Sequence, residues 1–236
     1  MNKIWIGNGQ LVLPDKIVPG GSVLLEGKKI AAVNVPCPPD ARRVDVDGSY
    51  IMAGFVDIHV HGGGDSDFMD EDASAFPTIA KAHCAHGTTA LCPTTMTCAD
   101  SLLEKTIDLF LEADKEPENG AELLGLHLEG PYFSAASKGA QPIGEQRIPE
   151  REDLERILRR AKGSILRWDA APELPNMELF AKVMAENGVL TSLAHSAATA
   201  PEALRAFDWG FSHVTHFYNA CTTFHKKNGL VYSGIV

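Results

Sequence analysis

The chain has 236 residues, of which 44% are hydrophobic and 22% are charged, a composition typical of soluble globular proteins and not of disordered or collagen-like ones. It contains no apolar run of the roughly 20 residues that a transmembrane helix needs, and its start lacks the apolar stretch of a secretory signal. A net charge of −10 disfavours binding to nucleic acid or anionic lipid. We therefore expect a cytoplasmic protein that binds neither nucleic acid nor membranes.

The five cysteines are odd in number and widely spaced, and they include no CxxC pair. Neither a disulfide framework nor a zinc ribbon is indicated by this arrangement. We predict that all five are reduced structural thiols: Cys37, Cys84, Cys92, Cys98 and Cys221.

The first 50 residues have the alternating pattern and turn residues of short β-strands. The predicted strands are 3–6, 10–13, 22–25 and 29–35. Strands this few and this short do not bury two faces alone. We therefore treat residues 1–50 as a β unit that pairs with something later in the chain or beyond its end.

From Tyr50 onward, apolar strands alternate with amphipathic helices, which is typical of a mostly parallel α/β sheet or barrel. Glycines end four of the helical segments, where they can supply a left-handed conformation. Thr199 and Glu202 predict a capping box at the last helix. The predicted strands are 51–60, 88–92, 122–128, 164–170, 189–194 and 211–215, the helices are 72–86, 100–113, 150–162, 175–187 and 200–209, and the glycines are Gly87, Gly163, Gly188 and Gly210.

Six parallel β/α units are fewer than the eight of a closed barrel. We predict that residues 51–236 form an incomplete (β/α)8 TIM barrel, the front part of a longer protein. An open, doubly wound sheet of six strands is the alternative, but no glycine-rich phosphate fingerprint follows its first strand.

Polar side chains follow the predicted strands where the active site of a (β/α)8 protein lies. The first strand ends with His59 and His61, which fall on one face beside Asp57 because strand side chains alternate. Two imidazoles in this spacing can bind one divalent metal, although a hydrogen-bonded or surface pair is an equal alternative for this motif alone. The three glycines that follow, 62–64, leave room at the barrel mouth.

Three further strands end in metal-ligand types: Glu129, His195 and His216. A carboxylate at the end of an apolar strand is costly to bury unless it is paired or bound to a metal. A lone histidine at a strand end is more often a hydrogen-bonded core residue, but three such donors on separate strands make coincidence improbable. One carboxylate and two imidazoles leave coordination positions of a metal open, which suits a catalytic zinc, iron, manganese or cobalt ion.

The motifs HVHG, HLEGPYF, KGAQP, LAHS and THFYNA, in this order, resemble the N-acetylglucosamine-6-phosphate deacetylase family of the amidohydrolase superfamily. The resemblance covers essentially the whole chain and implies that residues 1–50 belong to a small β-sandwich. It implies that Glu129, His195 and His216 bind the principal metal, and that His59 and His61 bind a second one in some members. The implied reaction is metal-dependent hydrolysis of an acetamide, which releases acetate and a free amine.

The same resemblance implies sugar contacts from Ala140 and Gln141, and sugar or phosphate contacts from Asn219 and Ala220. A basic residue at Lys227 would bind the phosphate as a point charge, and a solvated basic turn is the alternative. A homodimer is implied for the full-length protein. The general acid/base of the family is an aspartate on strand eight, which would lie beyond Val236, and its loss would lower the rate by roughly 10² to 10⁴-fold.

Two other functions remain open. Another amidohydrolase, such as a cyclic amidase or a dihydroorotase-like enzyme, is disfavoured because many of these carry a lysine on strand four, and residues 164–172 contain none. The non-enzyme alternative is a metal-binding fragment without activity.

Overall fold

The computed structural model describes residues 3–142 and 144–222. The chain divides into two units, one up to Gly54 and one from Phe55 onward. The predicted strand 51–60 is divided, because Ile51 pairs with Leu11 of the first unit and a separate strand begins at Phe55.

The first unit is a five-stranded sheet with a small apolar core. Its strands are β1 (Lys3–Val12), β2 (Ile17–Glu26), β3 (Lys29–Val33), β4 (Arg42–Asp45) and β5 (Tyr50–Ile51). The strand order is β3-β2-β1-β4, and β5 also pairs with β1. The predicted strands 3–6 and 10–13 form one strand, whose register shifts near Gly7 and Gly9. Leu11, Val23 and Ile51 form the core.

The second unit alternates strands and helices as predicted, which confirms an α/β fold. The strands are β6 (Phe55–Val60), β7 (Gly62–Gly63), β8 (Ser66–Asp67), β9 (Thr88–Pro93), β10 (Glu122–Leu123), β11 (Leu126–Glu129), β12 (Ile165–Ala170), β13 (Leu190–Leu193) and β14 (His213–Val214). The helices are α1 (Ala75–Cys84), α2 (Asp100–Glu112), α3 (Arg151–Ala161), α4 (Met177–Glu186) and α5 (Ala200–Trp209), with a 3-10 turn at Ala135–Ser137.

Apart from the β7–β8 hairpin, the strands of the second unit pair in parallel and follow one another in chain order. One sheet has the order β10-β9-β6 and the other has the order β11-β12-β13-β14. A parallel bridge between Thr94 and His127 joins β9 to β11. Gly125 separates β10 from β11 with φ +156, and a Cβ there would lie 2.5 Å from the Leu166 side chain. The carboxyl ends of the parallel strands therefore face the same way.

Helices pack on these strands through their apolar faces. Phe76 and Ile79 of α1, Ile107 of α2 and Phe180 of α4 are fully buried in one core with Trp168 of β12. The predicted capping box is confirmed, because the backbone N–H of Thr199 donates to the Glu202 carboxylate at 2.7 Å. The four predicted helix-ending glycines all have positive φ, from +69 to +112.

Two predictions from the sequence concern membrane-spanning helices and disulfide bonds. Among their helices, none combines the length and the apolarity that crossing a bilayer requires. All five cysteines lie in the described part of the chain, and no disulfide joins them there.

Candidate metal centre and adjoining cavity

The side chains predicted as metal ligands meet at the carboxyl ends of the strands. Glu129 is the last residue of β11, and His195 and His216 each follow the end of a strand by two residues. His59 lies in β6 and His61 follows it. The parallel strands end at the same edge, so these five residues, which come from four different strands, become neighbours.

Glu129 is the centre of this group and is 1% exposed. Its Oε1 lies 3.0 Å from His195 Nε2 and 2.6 Å from His216 Nε2. Its Oε2 lies 3.2 Å from His61 Nε2. His59 Nε2 is 3.8 Å from Oε1 and 3.2 Å from His61 Nε2. Four imidazole nitrogens thus surround one carboxylate, which is a donor set that suits zinc or another divalent transition metal.

Backbone carbonyls orient two of the imidazoles. His195 Nδ1 lies 3.0 Å from the carbonyl oxygen of Ser137, and His61 Nδ1 lies 3.2 Å from the carbonyl oxygen of Thr94. A ring nitrogen facing a carbonyl must carry the proton, so Nε2 of each ring is left to bind a cation. The Nδ1 atom of His59 is buried and has no hydrogen-bond partner among the described residues.

Two of the candidate ligands have a strained backbone. His195 has φ +44 and His216 has φ +55, a left-handed conformation that is uncommon for residues other than glycine. Such strain persists where the surrounding structure enforces it and is concentrated at functional sites. Both side chains contact Glu129.

The charges of the group are strongly coupled. Burial opposes ionisation of Glu129, but hydrogen bonds from His195, His216 and His61 outweigh it and hold the pKa of the carboxyl well below its usual range. Glu129 in turn raises the pKa of His216 through a hydrogen bond, and it raises that of His61 against the effect of burial. Burial lowers the pKa of His59 to about 4, so this ring is neutral at neutral pH.

A cavity of about 370 Å³ opens beside the candidate ligands. Its walls include the residues that the resemblance assigned to substrate: Ala140, Gln141, Asn219 and Ala220. Met96 and Gly139 also line it and were not singled out from the sequence. Lys227, the predicted phosphate contact, lies outside the described residues.

Gln141 is attached to the metal-ligand group itself. Its side-chain nitrogen donates to Glu129 Oε2 at 2.9 Å, and its side-chain oxygen accepts from the backbone N–H of Thr97 at 2.8 Å. The residue is only 2% exposed. Both ends of the amide are therefore occupied within the protein, and the side chain fixes the orientation of the Glu129 carboxylate.

A polar set on β11 and β12 was not predicted from the sequence. His127 and Asp169 are fully buried, and His127 Nε2 lies 2.8 Å from Asp169 Oδ1. Arg167 donates to His127 Nδ1 at 2.8 Å and to the carbonyl oxygen of Ile58 at 2.9 Å. The signal was present in the sequence, since two charged residues alternate with Trp168 on a strand otherwise apolar.

Parallel strands whose carboxyl ends gather histidines around a buried carboxylate form a candidate divalent-metal centre in an α/β fold. The amidohydrolase family model matches residues 50–228. The chain therefore belongs to the amidohydrolase family.

Within this family, the chain is similar to deacetylases of amino-sugar phosphates. N-acetylglucosamine-6-phosphate deacetylase of Lysinibacillus sphaericus is 31% identical over 82% of this chain and 50% of its own length. N-acetylgalactosamine-6-phosphate deacetylase of Escherichia coli O157:H7 is 28% identical over 98% of this chain and 58% of its own. The crystal structure of N-acetylglucosamine-6-phosphate deacetylase from Pasteurella multocida superposes with a TM-score of 0.88 at 26% identity, covering 99% of this chain and 62% of that one. The chain thus spans about half the length of the curated relatives it matches.

Proposed function

We propose that the chain belongs to a metal-dependent deacetylase that converts N-acetylglucosamine 6-phosphate to glucosamine 6-phosphate and acetate. The observation that carries the proposal is the convergence of three imidazoles on Glu129 at the wall of a 370 Å³ cavity. The likeness to deacetylases of amino-sugar phosphates supports the choice of substrate.

The residues fit a divalent cation. Glu129, His195 and His216 would hold the principal metal, which we propose is zinc, with iron, manganese or cobalt as alternatives. His59 and His61 would hold a second ion where two are bound. A cation bound there supplies polarisation of the acetamide carbonyl and a water of lowered pKa.

The chain's own side chains position the reactants. Gln141 holds the Glu129 carboxylate through Oε2, so Oε1 faces His195 and His216. We propose that the backbone of Ala140, together with Asn219 and Ala220, binds the sugar and its phosphate, since they line the cavity beside the ligands. The Gln141 side chain would hydrogen-bond to a sugar only by giving up one of the two partners it holds in this structure, Glu129 or Thr97.

We further propose that the second unit supplies six units of an eight-unit barrel, and that residues 1–50 are part of a β-sandwich. The 99% coverage of this chain in the superposition on a longer deacetylase supports this arrangement. From the family resemblance we propose that Lys227 contacts the phosphate and that the full-length enzyme is a homodimer. From the composition of the sequence we propose that this enzyme is cytoplasmic. The strand-eight aspartate of the family, the proton-transfer group, would belong to the rest of that enzyme.

Acetate release tests the function directly. The purified chain is incubated with N-acetylglucosamine 6-phosphate, with and without zinc, and its bound metal is measured. We expect zinc-dependent release that Glu129→Ala abolishes and that Glu186→Ala, a matched change of an exposed carboxylate on α4, leaves intact. Bound metal without any release would instead favour an inactive metal-binding fragment.

Substrate class is tested in the same assay. N-acetylgalactosamine 6-phosphate is the second candidate, since one curated relative bears that name. Unphosphorylated N-acetylglucosamine should be a poorer substrate, because the phosphate contributes binding energy. Turnover of a cyclic amide such as dihydroorotate, but of no acetamido sugar, would replace this proposal with the cyclic-amidase alternative; β12 (Ile165–Ala170) carries no lysine to support it.

A further inference from the structure

Met96 is the one long apolar side chain among the described residues that line the cavity. The other non-polar residues there, Gly139, Ala140 and Ala220, carry no side chain or a single methyl group. The rest of the lining consists of candidate metal ligands and polar side chains. An apolar side chain in such a place is stabilised when an apolar part of a ligand covers it and excludes water. The proposed reaction so far gives Met96 no role.

The backbone that carries Met96 is fixed by hydrogen bonds. All four backbone N–H groups of residues 94–97, which follow β9 (Thr88–Pro93), donate hydrogen bonds of 2.8–3.0 Å. Their acceptors are the carbonyl oxygens of Val60 and His127, the sulfur of Met69 and the side-chain oxygen of Gln141. Met96 is half-buried, whereas the three threonines of this segment are fully buried. The segment therefore presents Met96 to the cavity from a defined position.

Met96 lies on the Oε2 side of the Glu129 carboxylate. The carbonyl oxygen two residues before Met96 lies 3.2 Å from His61 Nδ1, and the N–H of the residue after it donates to Gln141 at 2.8 Å. His61 and Gln141 are the two residues that contact Glu129 Oε2, at 3.2 and 2.9 Å. The neighbours of Met96 in the chain are thus bonded to the partners of this one oxygen.

The proposed sugar contacts lie on the other side, where His195 contacts Glu129 Oε1 at 3.0 Å. A Cβ added at Gly139 would lie 3.2 Å from the His195 ring and 3.6 Å from Ala220 Cβ. Residues 139 and 220 are therefore neighbours beside His195, next to Ala140 in the chain. The cavity has a backbone-rich side at His195 and an apolar wall on the side of His61 and Gln141.

An acetamide has two groups that match these two sides. Its carbonyl carbon carries the nitrogen, with the sugar attached, in one direction and the methyl group in the other. With the carbonyl at the candidate ligands and the sugar at Asn219 and Ala220, the methyl group faces the wall formed by Met96. Packing there removes apolar surface of both groups from water, and a longer acyl group would need the space that Met96 occupies.

We infer that Met96 determines the length of the acyl group that the site accepts. It packs on the methyl group of an acetamide and blocks the additional methylene of a propionamide. The inference rests on the proposed function and names the acyl specificity of the same site. Met96 takes no part in metal binding or proton transfer, so its replacement should change the choice of substrate.

Hydrolysis of N-acetyl- and N-propionylglucosamine 6-phosphate by the zinc-loaded 236-residue chain tests the inference. One methylene in a closely fitting apolar pocket changes kcat/KM by about 10- to 200-fold, and we expect the wild-type chain to prefer the acetyl substrate by a factor in that range. Met96→Ala enlarges the pocket. Because burying a methylene favours binding by about fourfold, this variant should use the propionyl substrate as well as the acetyl one or up to about fourfold better.

A binding measurement gives the same comparison without turnover. Sulfonamides resist hydrolysis, so the Kd values of N-methanesulfonyl- and N-ethanesulfonylglucosamine 6-phosphate report the fit of the short and the longer group directly. The wild-type chain should prefer the methanesulfonyl compound, and Met96→Ala should abolish or reverse that preference.

Three control variants separate acyl specificity from general damage. Met96→Leu keeps an apolar side chain of similar bulk and should keep the wild-type preference. Asn219→Ala should weaken both compounds of a pair by the same factor, because it acts on the sugar side. Met52→Ala, at an exposed position of the first unit, should leave both compounds unaffected. Thermal unfolding shows whether the variants fold alike.

Three results would overturn the inference alone, provided that the wild-type chain binds the methanesulfonyl compound or hydrolyses the acetyl substrate. These are a wild-type chain that does not distinguish the two acyl lengths, an unchanged preference in Met96→Ala, or an equal loss for both lengths in that variant. A wild-type chain that neither binds the methanesulfonyl compound nor hydrolyses the acetyl substrate would overturn the proposed function and this inference together.

Discussion

Replacing Gln141 with leucine should damage the proposed metal centre without changing any of its ligands. Leucine can neither donate nor accept a hydrogen bond, so the substitution removes both contacts of the Gln141 side-chain amide. One lost bond goes to the ionised Glu129 at 2.9 Å, and a hydrogen bond to a charged group contributes about 1.5–3 kcal/mol. The other lost bond leaves the N–H of Thr97, a residue 1% exposed, without its acceptor at 2.8 Å.

The two losses have separate consequences. An unsatisfied buried N–H costs about 1–3 kcal/mol, so the unfolding free energy of the metal-free chain should fall by about 2.5–6 kcal/mol in total. Metal affinity should fall by about 10- to 100-fold, because Glu129 is no longer fixed through Oε2. Chemical denaturation measures the first effect, and competition with a chelating dye measures the second.

Gln146→Leu provides the control, since Gln146 lies in the same loop and bonds only to that loop's backbone among the described residues. It should leave metal affinity unchanged. A Gln141→Leu chain with wild-type metal affinity and wild-type stability would refute the view that this amide orients Glu129.

Three other predictions concern the glycine after Glu129, the protons of the site and the core. Gly130→Ala should cost several kcal/mol of unfolding free energy, because Gly130 has φ +99 and an added Cβ would lie 2.2 Å from Thr97 Oγ1. Metal binding should release protons and weaken as the pH falls, because Glu129 raises the pKa of His61 and His216 above 6.5 in the metal-free chain; calorimetry in buffers of different ionisation enthalpy measures this. Phe180→Ala should lower the unfolding free energy by about 3–5 kcal/mol, since its ring is fully buried.

Each of these predictions has its own control or contrary result. Gly144→Ala shares the positive φ of +94 but has open space around it, so a loss equal to that of Gly130→Ala would disprove the steric argument. A Kd for zinc that is the same at about pH 6 and about pH 8 would contradict the protonation of the histidines. Leu204→Ala, at an exposed position of α5, should change stability by less than about 0.5 kcal/mol.

The alternation of strands and helices was predictable because its signals are local. Glycines with positive φ end the helices, and Thr199 with Glu202 starts α5. The segment from Ile51 to Val60 reads as one strand, whereas in the structure Ile51 pairs with Leu11 and a separate strand begins at Phe55. Pairing between distant strands leaves no local mark in such a run. The polar strand β4 (Arg42–Asp45) was missed for the same reason.

The candidate ligands were predictable from position, since they follow apolar strands whose carboxyl ends meet. Side-chain partners were not predictable in this way. The resemblance implied a sugar contact for Gln141, while the structure shows its amide bonded to Glu129 and Thr97. Arg167 and Asp169 stand out as charged residues on an apolar strand, but the sequence does not indicate that Asp169 lies 2.8 Å from His127 on the neighbouring strand.

Three residues of the candidate site break local rules of backbone conformation or burial. His195 and His216 have left-handed backbones, and Glu129 is buried beside four imidazoles. In the metal-free chain, the negative charge of Glu129 holds protons on neighbouring rings, which is what the raised pKa values of His61 and His216 express. A divalent cation would replace those protons with a charge that satisfies carboxylate and imidazoles at once. The strain and the burial are then explained by one ligand, which is why metal binding, measured before activity, is the most direct test of this site.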